Sequence, residues 1–259
     1  MFAHERHQAI QELLAKKQRL TVGALQHALR ISPATLRRDL GEMEKAGLVV
    51  RVHGGVVHPS ALRGEPSFAQ RGGQAVDAKR EIAKATAALI PDKAVVFIDA
   101  GTTCLEVGRL LMTRKGLTLI TNSVPFLSLA AAGCDAQVVS VGGKLRDLAG
   151  ALTGSLALSW LASLHADVAV VSAAGLSLKD GASTTELEEA AIKQQFLARS
   201  KRRILVADRS KWNAPRMTKF AGWNNFETWV TDCPLTAAER TVLAKSKLKI
   251  NQVKTDETQ

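Results

Sequence analysis

Three segments in the middle of the chain combine glycine and polar side chains in a way that suits an anion-binding site. In the first, Asp99–Thr103, the glycine permits a tight turn, and the threonine hydroxyls and backbone amides can hold a phosphate at the start of a helix. Thr121–Ser123 and Gly142–Arg146 add amide, hydroxyl and basic groups. Threonine before a helix is also a common cap, and glycine a common turn residue. Because each segment follows an apolar run, the set favours a binding site over turns and caps alone.

These apolar runs are the strands that must position the polar segments. Each run is short and mostly apolar, and helical patterns separate the runs, beginning with Ala78–Leu89. This alternation predicts an α/β domain with a doubly wound, mainly parallel sheet covered by helices on both faces. Ligands bind such sheets outside the carboxyl ends of the strands, which is where the polar segments fall. The predicted strands are Ala94–Ile98, Leu117–Ile120, Gln137–Val141, Asp167–Ser172 and Arg203–Ala207.

Charged residues later in the chain permit two interpretations. Glu186, Glu189 and Lys193 lie at helical spacing, and Asp208–Lys211 follows the last predicted strand. Charge pairs along an exposed helix would explain the helical set without any ligand. A contribution to the strand-end site is the alternative.

The first 57 residues carry the pattern of a helix-turn-helix. Thr21 can cap a second helix, and Ser32-Pro33 is a strong start signal for a third that follows after a very short turn. The third helix turns Leu36, Leu40 and Met43 toward the core. Its opposite face is small or basic and can enter a DNA major groove, although a solvated helix face is the alternative.

After Gly47 the periodicity changes to that of a strand. Residues 48–53 alternate, Gly54-Gly55 forms a turn, and Val56-Val57 begins a second strand, which together predict a wing beside the DNA phosphates. The candidate DNA contacts are Ser32, Ala34, Thr35, Arg37, Arg38, Lys45, Arg51 and His53.

Composition supports two domains and an anionic partner. The 259 residues carry a net charge of +11, and 46% are hydrophobic. We expect a DNA-binding domain at 1–57, a linker at 58–76 that is rich in Gly, Pro, Ser and Gln, and an α/β domain at 77–259. No apolar stretch is long enough for a membrane helix, and no secretion signal is evident. The three cysteines are far apart and form neither a disulfide framework nor a metal-ligand pair, which indicates a cytoplasmic protein without a metal.

The order and spacing of the motifs resemble one known family. The run Ser32-Pro-Ala-Thr-Leu-Arg-Arg-Asp-Leu40, followed by Glu44–Leu48 and Arg51–Gly55, is similar to the DNA-binding domain of the DeoR family of bacterial regulators. The strand-end segments, the helix Glu186–Lys193 and Asp208–Lys211 occur in the order of that family's sensor domain, so the resemblance covers nearly the whole chain. It implies a sensor related in fold to ribose-5-phosphate isomerase and CoA transferases, with a phosphorylated sugar or similar metabolite as inducer. The ligand contacts expected on this basis are Asp99, Gly101, Thr102, Thr103, Asn122, Gly143, Lys144, Glu186, Lys193 and Lys211.

One segment departs from the family pattern. Members often have Asp or Asn before the glycine that follows the fourth strand, whereas this chain reads Ser172-Ala-Ala-Gly175. The related isomerases use acidic residues in this region. An isomerase or an acyl-CoA transferase is the rival function, but Glu186 and Glu189 then lack a second carboxylate for acid–base catalysis.

We therefore expect a ligand-responsive transcriptional regulator without a cofactor, which represses a sugar or carbohydrate catabolic operon. A constitutive architectural DNA binder is a further alternative, which would leave the strand-end segments unused. One winged module buries too little surface for selective operator binding, so we expect a dimer or tetramer. Trp212, Trp223 and Trp229 lie near Phe220 and Phe226 in the sequence and form either core packing or an oligomer interface.

Overall fold

The computed structural model describes residues 2–17, 19–52, 55–57 and 65–255. Its contacts divide the chain into two compact units, Met1–Gln74 and Ala75–Gln259. None of the helices in the described ranges combines the length and apolar composition needed to cross a membrane.

The first unit contains the predicted helix-turn-helix and wing. Thr21 and Ser32 cap the second and third helices, as predicted, by accepting hydrogen bonds from the amides of Ala24 and Thr35 at 3.1 and 3.2 Å. The three strands form an antiparallel sheet in the order β1-β3-β2. The elements are α1 (Ala3–Lys17), β1 (Arg19–Thr21), α2 (Val22–Leu29), α3 (Pro33–Lys45), β2 (Val50–Val52) and β3 (Gly55–Val57).

The strand alternation predicted for residues 48–53 is wrong at its start, because of the way α3 ends. Gly47 has φ +71°, and the amides of Gly47 and Leu48 donate to the carbonyls of Glu44 and Met43, each at 2.9 Å. This is a Schellman ending, which reverses the chain direction. As a result Val49 (1% exposed) enters the core while Leu48 (38% exposed) faces outward, and regular strand pairing begins only at Val50.

A buried ion pair that the sequence analysis did not anticipate links α1 to α3. Arg6 donates through Nε and Nη2 to the two carboxylate oxygens of Asp39, at 2.7 and 2.8 Å. Asp39 is almost completely buried. These hydrogen bonds lower the pKa of the Asp39 carboxyl group despite the opposing effect of burial. The pair therefore fixes the orientation of α3 relative to α1.

Part of the predicted linker is ordered structure of the first unit. Residues 65–74 belong to that unit, and helix α4 (Phe68–Gly72) lies near α1. The helix starts at a capping box in which the amide of Gln70 donates to the Ser67 hydroxyl and the Gln70 side chain accepts from the Ser67 amide. This local pairing explains a helix in a segment with weak periodicity. Residues 58–64 lie outside the described ranges.

The second unit is built on a seven-stranded parallel sheet, which confirms the predicted α/β fold with a mainly parallel sheet. Its order is β15-β14-β12-β9-β4-β5-β6, and every neighbouring pair is parallel. The five predicted strands are confirmed, whereas the last two strands of the chain were not predicted. The strands are β4 (Val95–Ile98), β5 (Thr118–Thr121), β6 (Gln137–Ser140), β9 (Ala166–Ser172), β12 (Ser200–Val206), β14 (Thr228–Thr231) and β15 (Lys249–Gln252).

Helices and small antiparallel strands cover both faces of this sheet. On one face Val96 and Ile98 pack in a core cluster with α5, α6 and α7; on the other, Phe97 stacks on Phe196 with ring centroids 4.9 Å apart. Because both faces are buried, the strands read as apolar runs. The remaining elements are α5 (Val76–Ala87), α6 (Thr102–Leu111), α7 (Val124–Ala131), β7 (Lys144–Arg146), β8 (Ala151–Thr153), α8 (Ser155–Ala162), β10 (Gly175–Ser177), β11 (Gly181–Thr184), α9 (Leu187–Ala198), β13 (Thr218–Ala221) and α10 (Ala237–Ala244).

The tryptophan cluster is part of the core. Trp229 on β14 is fully buried, Trp223 nearly so, and Trp212 stacks on Trp229 at 5.3 Å. Of the two interpretations of this cluster, the structure therefore supports core packing.

The Arg6–Asp39 pair predicts an acid-sensitive first unit. Because the folded-state pKa of Asp39 is lowered, the pair contributes its full stability above the pKa of an unfolded aspartate, about 3.9, and that contribution is lost as the pH falls through the folded value. We expect Asp39→Asn to flatten the fall in the free energy of unfolding between about pH 6 and pH 3, measured by urea denaturation of the full chain. The matched variant Glu12→Gln, at an exposed position of α1, should leave that slope unchanged. Equal slopes for Asp39→Asn and wild type would contradict the assignment.

Candidate functional site

A buried ion pair lies at the carboxyl edge of the large sheet. Asp99 follows β4, and Lys193 reaches it from α9 with its Nζ donating to the Asp99 carboxylate. Both side chains are at least 95% buried. Lys193 also donates to the carbonyl of Ser172, at 3.1 Å, and lies 5.6 Å from the centre of the Phe220 ring. Two of the predicted ligand contacts are therefore brought together, as partners of each other.

Ser172, at the end of β9, is a second partner of Asp99. The backbone amide and the hydroxyl of Ser172 donate to Asp99 Oδ2 at 2.9 and 2.8 Å. A Cβ atom on Gly101 would lie 2.3 Å from the Ser172 hydroxyl oxygen, so glycine is required there by close approach. Ser172 was identified only as a departure from the family pattern; in the structure it is a partner of the buried pair.

Asn122 connects two of the polar segments. Its Oδ1 accepts from the amide of Ala100 at 2.9 Å, and its Nδ2 donates to the carbonyl of Leu152 on β8 at 3.3 Å. The side chain is buried, so its hydrogen-bonding groups serve to position neighbouring backbone. It holds the Asp99–Thr103 segment against the β7–β8 hairpin.

The threonine pair starts α6 without capping it. Gly101 occupies the N-cap position and no side chain caps this end of the helix. Thr103 is buried and Thr102 is half-buried. The interpretation of these threonines as simple caps is therefore wrong, and the N-terminus of α6 retains the partial positive charge of its backbone amides.

A second set of ion pairs connects the β7–β8 hairpin to the start of α9. Arg146 Nη1 donates to Glu189 at 2.5 Å and its Nη2 lies 4.0 Å from Glu186, while Lys144 Nζ lies 3.6 Å from Glu188. These acids thus pair with another element, so the interpretation of Glu186, Glu189 and Lys193 as pairs along one exposed helix face is wrong. Lys144 and Glu188 are solvent-exposed, whereas Arg146 and Glu189 are mostly buried.

Three residues of this set, Arg146, Glu188 and Glu189, were not among the predicted contacts. Lys144 and Arg146 are two apart on a strand, which places them on one face, and this spacing is the signal that could have identified Arg146. Glu188 accepts from the Thr153 hydroxyl at 2.9 Å. Gly143 packs against the backbone of Thr153 at the base of the hairpin.

Lys211 lies apart from these contacts. It belongs to a short 3-10 turn, Arg209–Lys211, after the carboxyl end of β12 and thus at the same edge of the sheet. Within the described residues its side chain makes neither a hydrogen bond nor an ion pair.

The candidate DNA-binding surface is the outer face of α3 with the wing. Arg37, Arg38 and Lys45 are exposed and pair with no carboxylate in the described part of the chain. Arg37 and Arg51 line a common groove of about 170 Å³ between α3 and the wing. The Arg51 amide donates to the Glu44 carboxylate at 3.3 Å, which ties the wing to α3.

The remaining DNA candidates surround the start of α3. Ala34 is exposed, Thr35 is half-buried, and the hydroxyls of Ser32 and Thr35 lie 2.8 Å apart. His53 lies outside the described residues.

Comparison with known families assigns both units. The model of the DeoR C-terminal sensor domain matches residues 74–233, and that of the DeoR-like helix-turn-helix domain matches residues 6–61. The chain belongs to the DeoR family of transcriptional regulators. The resemblance on which the sequence analysis relied is thus confirmed.

DeoR-family relatives align over almost the full chain. The HTH-type transcriptional regulator GlpR of Haloferax volcanii is 33% identical over 93% of this chain and 94% of its own length. The transcriptional repressor AccR of Agrobacterium fabrum is 31% identical over 95% of both chains. The glycerol-3-phosphate regulon repressor of Escherichia coli is 26% identical over 95% of this chain and 97% of its own.

Solved structures with a similar fold include enzymes. Ribose 5-phosphate isomerase A of Methanocaldococcus jannaschii superimposes with a TM-score of 0.39 at 16% identity, over 52% of this DeoR-family chain and 53% of the isomerase. RipA of Yersinia pestis gives a TM-score of 0.42 at 16% identity, over 68% and 49%.

The buried pair predicts a large stability loss when only one partner is removed. Lys193→Met leaves the Asp99 carboxylate buried without its counter-charge, so we expect the free energy of unfolding to fall by about 3 kcal/mol. Adding Asp99→Asn should recover at least half of that loss, because no uncompensated charge then remains. Urea denaturation of the full-length variants measures both values.

The exposed pair Lys201–Asp167 provides a matched control. Lys201→Met removes an ion pair with a 2.9 Å separation from the surface and should cost less than about 1 kcal/mol. Equal losses for the two lysine variants would show that burial of the Asp99–Lys193 pair carries no special energetic weight.

Proposed function

We propose that this DeoR-family regulator represses a sugar or carbohydrate catabolic operon and leaves its operator when a phosphorylated sugar or related metabolite binds the sensor unit. The observation that carries the proposal is the juxtaposition, through Asn122, of the uncapped N-terminus of α6 with the basic β7–β8 hairpin. The name of the E. coli glycerol-3-phosphate regulon repressor is consistent with a phosphorylated effector.

The chemistry of this juxtaposition suits a phosphate group. Backbone amides at a helix start and the positive end of its dipole favour an anion. The planar guanidinium of Arg146 can bind two phosphate oxygens at once, and Lys144 adds a mobile charge with 73% of its side chain exposed. We propose Gly101, Thr102, Thr103, Gly143 and Lys144 as direct ligand contacts, together with Arg146. Asp99, Asn122 and Lys193 then form the floor that holds them, and Lys211 lies at the margin.

A phosphate has to compete with carboxylates that already occupy these cations. Glu186, Glu188 and Glu189 pair with Arg146 and Lys144 in the structure. When a phosphate replaces them, the hairpin is released from α9 and bound instead to the ligand and α6. The two states thus differ in which element the hairpin is tied to, and a ligand that prefers one state shifts the population toward it.

On this proposal the molecule performs no catalysis. The segment Ser172-Ala-Ala-Gly175 at the end of β9 supplies no second carboxylate beside Asp99, and Ser172 serves as a hydrogen-bond donor. The relatives described above carry names of regulators and repressors. We propose that operator DNA is bound by a homo-oligomer in the cytoplasm, through α3 and the wing of each copy.

The sensor proposal is tested by ligand binding. We expect isothermal titration calorimetry with glycerol 3-phosphate, fructose 6-phosphate, ribose 5-phosphate and their unphosphorylated counterparts to show binding by at least one phosphorylated compound. Lys144→Gln should weaken that binding about tenfold, because it removes one charged contact to the phosphate. Lys115→Gln, at an exposed lysine before the amino end of β5, should leave it unchanged. Equal affinity for a phosphorylated compound and its unphosphorylated counterpart would refute a phosphate site.

The DNA-binding proposal is tested on a duplex that the wild-type chain selects from a random pool. If Arg38 contacts a guanine, Arg38→Ala should weaken binding by about 1–3 kcal/mol and relax specificity at one position. Arg38→Lys should keep most of the salt dependence but lose specificity, since lysine retains the charge without the bidentate geometry. Gel-shift titrations at two salt concentrations separate these effects. Unchanged affinity for both variants would remove Arg38 from the interface.

A further inference from the structure

Helix α8 exposes an apolar surface that nothing in the described chain covers. Leu156 and Trp160, one helical turn apart, are 68% and 49% exposed. The other exposed side chains of the helix are small, namely Ser155, Ser159 and Ala162. The buried side of the same helix, which includes Ala157 and Leu161, packs into the core.

Helix α9 lies beside α8 and extends this surface. Leu187, at its first position, is 68% exposed. Ala191, Gln194 and Ala198 follow at helical spacing and are at least partly exposed. Nine exposed or half-buried side chains of these two helices form what we call the α8–α9 face, which leaves out Glu188 because its carboxylate contacts the hairpin. Its members are Ser155, Leu156, Ser159, Trp160, Ala162, Leu187, Ala191, Gln194 and Ala198.

The α8–α9 face carries no charged side chain, in a protein that is otherwise rich in charge. The chain has 35 Lys and Arg against 24 Asp and Glu. The charged residue next to Leu187, Glu188, has Thr153 and Lys144 of the hairpin as partners. Isolated apolar residues on a surface are ordinary, whereas exposed leucine and tryptophan side chains on two helices in contact with each other are typical of interfaces.

We propose that the α8–α9 face binds the same face of a second copy of this chain about a two-fold axis. Copies with a net charge of +11 repel one another, so they approach most readily through a surface that carries no charge. In a two-fold contact the same patch of both copies meets, residue i contacting residue j and j contacting i, so an uncharged face meets no like charge there. Ser155 and Ser159, beside Leu156 and Trp160, are small enough for two helices to pack closely, and a central tryptophan is a typical hot spot.

The proposed interface extends the proposed function and rests on it, because α9 contributes residues both to the sensor site and to the α8–α9 face. The same helix carries Glu188 and Glu189, which hold the hairpin, and Lys193, which holds the strand ends. A ligand that releases the hairpin from α9 therefore acts on a helix of the interface. The distance between the two DNA-binding units of the dimer then depends on the state of the sensor.

Sedimentation velocity on the full-length chain at micromolar concentration tests the interface. We expect wild type to be a dimer or a multiple of one, and Trp160→Glu to weaken self-association at least thirtyfold, about the effect of losing one hot spot. Leu110→Glu introduces the same charge at an exposed leucine of α6, which packs in the core cluster on the opposite face of the sheet, and should associate like wild type. Ser159→Arg adds a charge to the face without removing a packed side chain, and it replaces Trp160→Glu should that variant fail to fold.

Cross-linking identifies the occupant of the face. Ser159→Cys in a Cys134→Ser background should give a product of two linked chains with thiol-specific bifunctional cross-linkers of graded length that span the face. A monomeric wild type, unchanged association of Ser159→Arg, or absence of the cross-linked product would each overturn the proposal; the last outcome would indicate another occupant, such as a different segment of the chain.

The phosphate-binding titrations remain a separate readout. A monomeric Trp160→Glu variant that still binds the phosphorylated compound would support the interface together with the sensor site, whereas a wild-type dimer that binds none would refute the sensor alone.

Discussion

The edge of the sensor sheet is organised around one requirement, that two buried charges must each be fully paired. Removing a carboxylate and an ammonium group from water costs several kcal/mol for each, and only close pairing with further hydrogen bonds offsets this cost. Asp99 therefore needs Lys193 and both donors of Ser172, and Lys193 also uses the Ser172 carbonyl. These contacts hold β4, β9 and α9 in one arrangement, and they leave no space for a side chain at Gly101.

The buried pair separates the site into a floor that cannot exchange and an outer part that can. If a ligand broke the Asp99–Lys193 pair, Asp99 and Lys193 would each be left as a buried charge without a counter-charge. The Lys144–Glu188 pair is exposed, and such pairs contribute at most about 1 kcal/mol, so a phosphate can replace the carboxylate at little cost. The Arg146–Glu189 pair is less exposed and intermediate in this respect. On the proposed function, residues of the floor therefore hold the geometry of the site, and residues of the hairpin exchange partners when the ligand binds.

The sequence predicted the elements with strong periodicity and missed those set by tertiary contacts. The helix-turn-helix, with its caps at Thr21 and Ser32, and the central strands followed from local patterns. Strands β14 and β15 were missed because they contain threonine, lysine and glutamine, and because apolar Trp229 reads as part of an aromatic cluster. Neither strand could be identified before its neighbour in the sheet was known.

For the candidate site, too, local patterns were predictable from the sequence and tertiary contacts were not. Glycine and polar residues after each strand indicated where the site lies, because the carboxyl ends of parallel strands share one edge. The partners of each charge could not be read from the sequence: the Arg146–Glu189 contact joins residues 43 positions apart, and Asp99–Lys193 joins residues 94 positions apart. The i,i+4 spacing of Glu189 and Lys193 indicated a shared face but not that the face was buried.

The acidic side chains of α3 in the DNA-binding unit also take part in contacts that position an element. Helix α3 contains Asp39, Glu42 and Glu44, whose negative charge would repel DNA if it lay on the outer face. Asp39 is buried against Arg6, and Glu42 lies 3.8 Å from His7, so both face α1. Glu44 accepts the amide of Arg51 and holds the wing. The acids of α3 thus fix the position of the helix, and the face that bears Arg37 and Arg38 is left with uncompensated positive charge. In both units, then, buried or tied carboxylates set the geometry. Within the described residues the cations on the outer face of α3 pair with no carboxylate, whereas those of the hairpin are held by acids of α9.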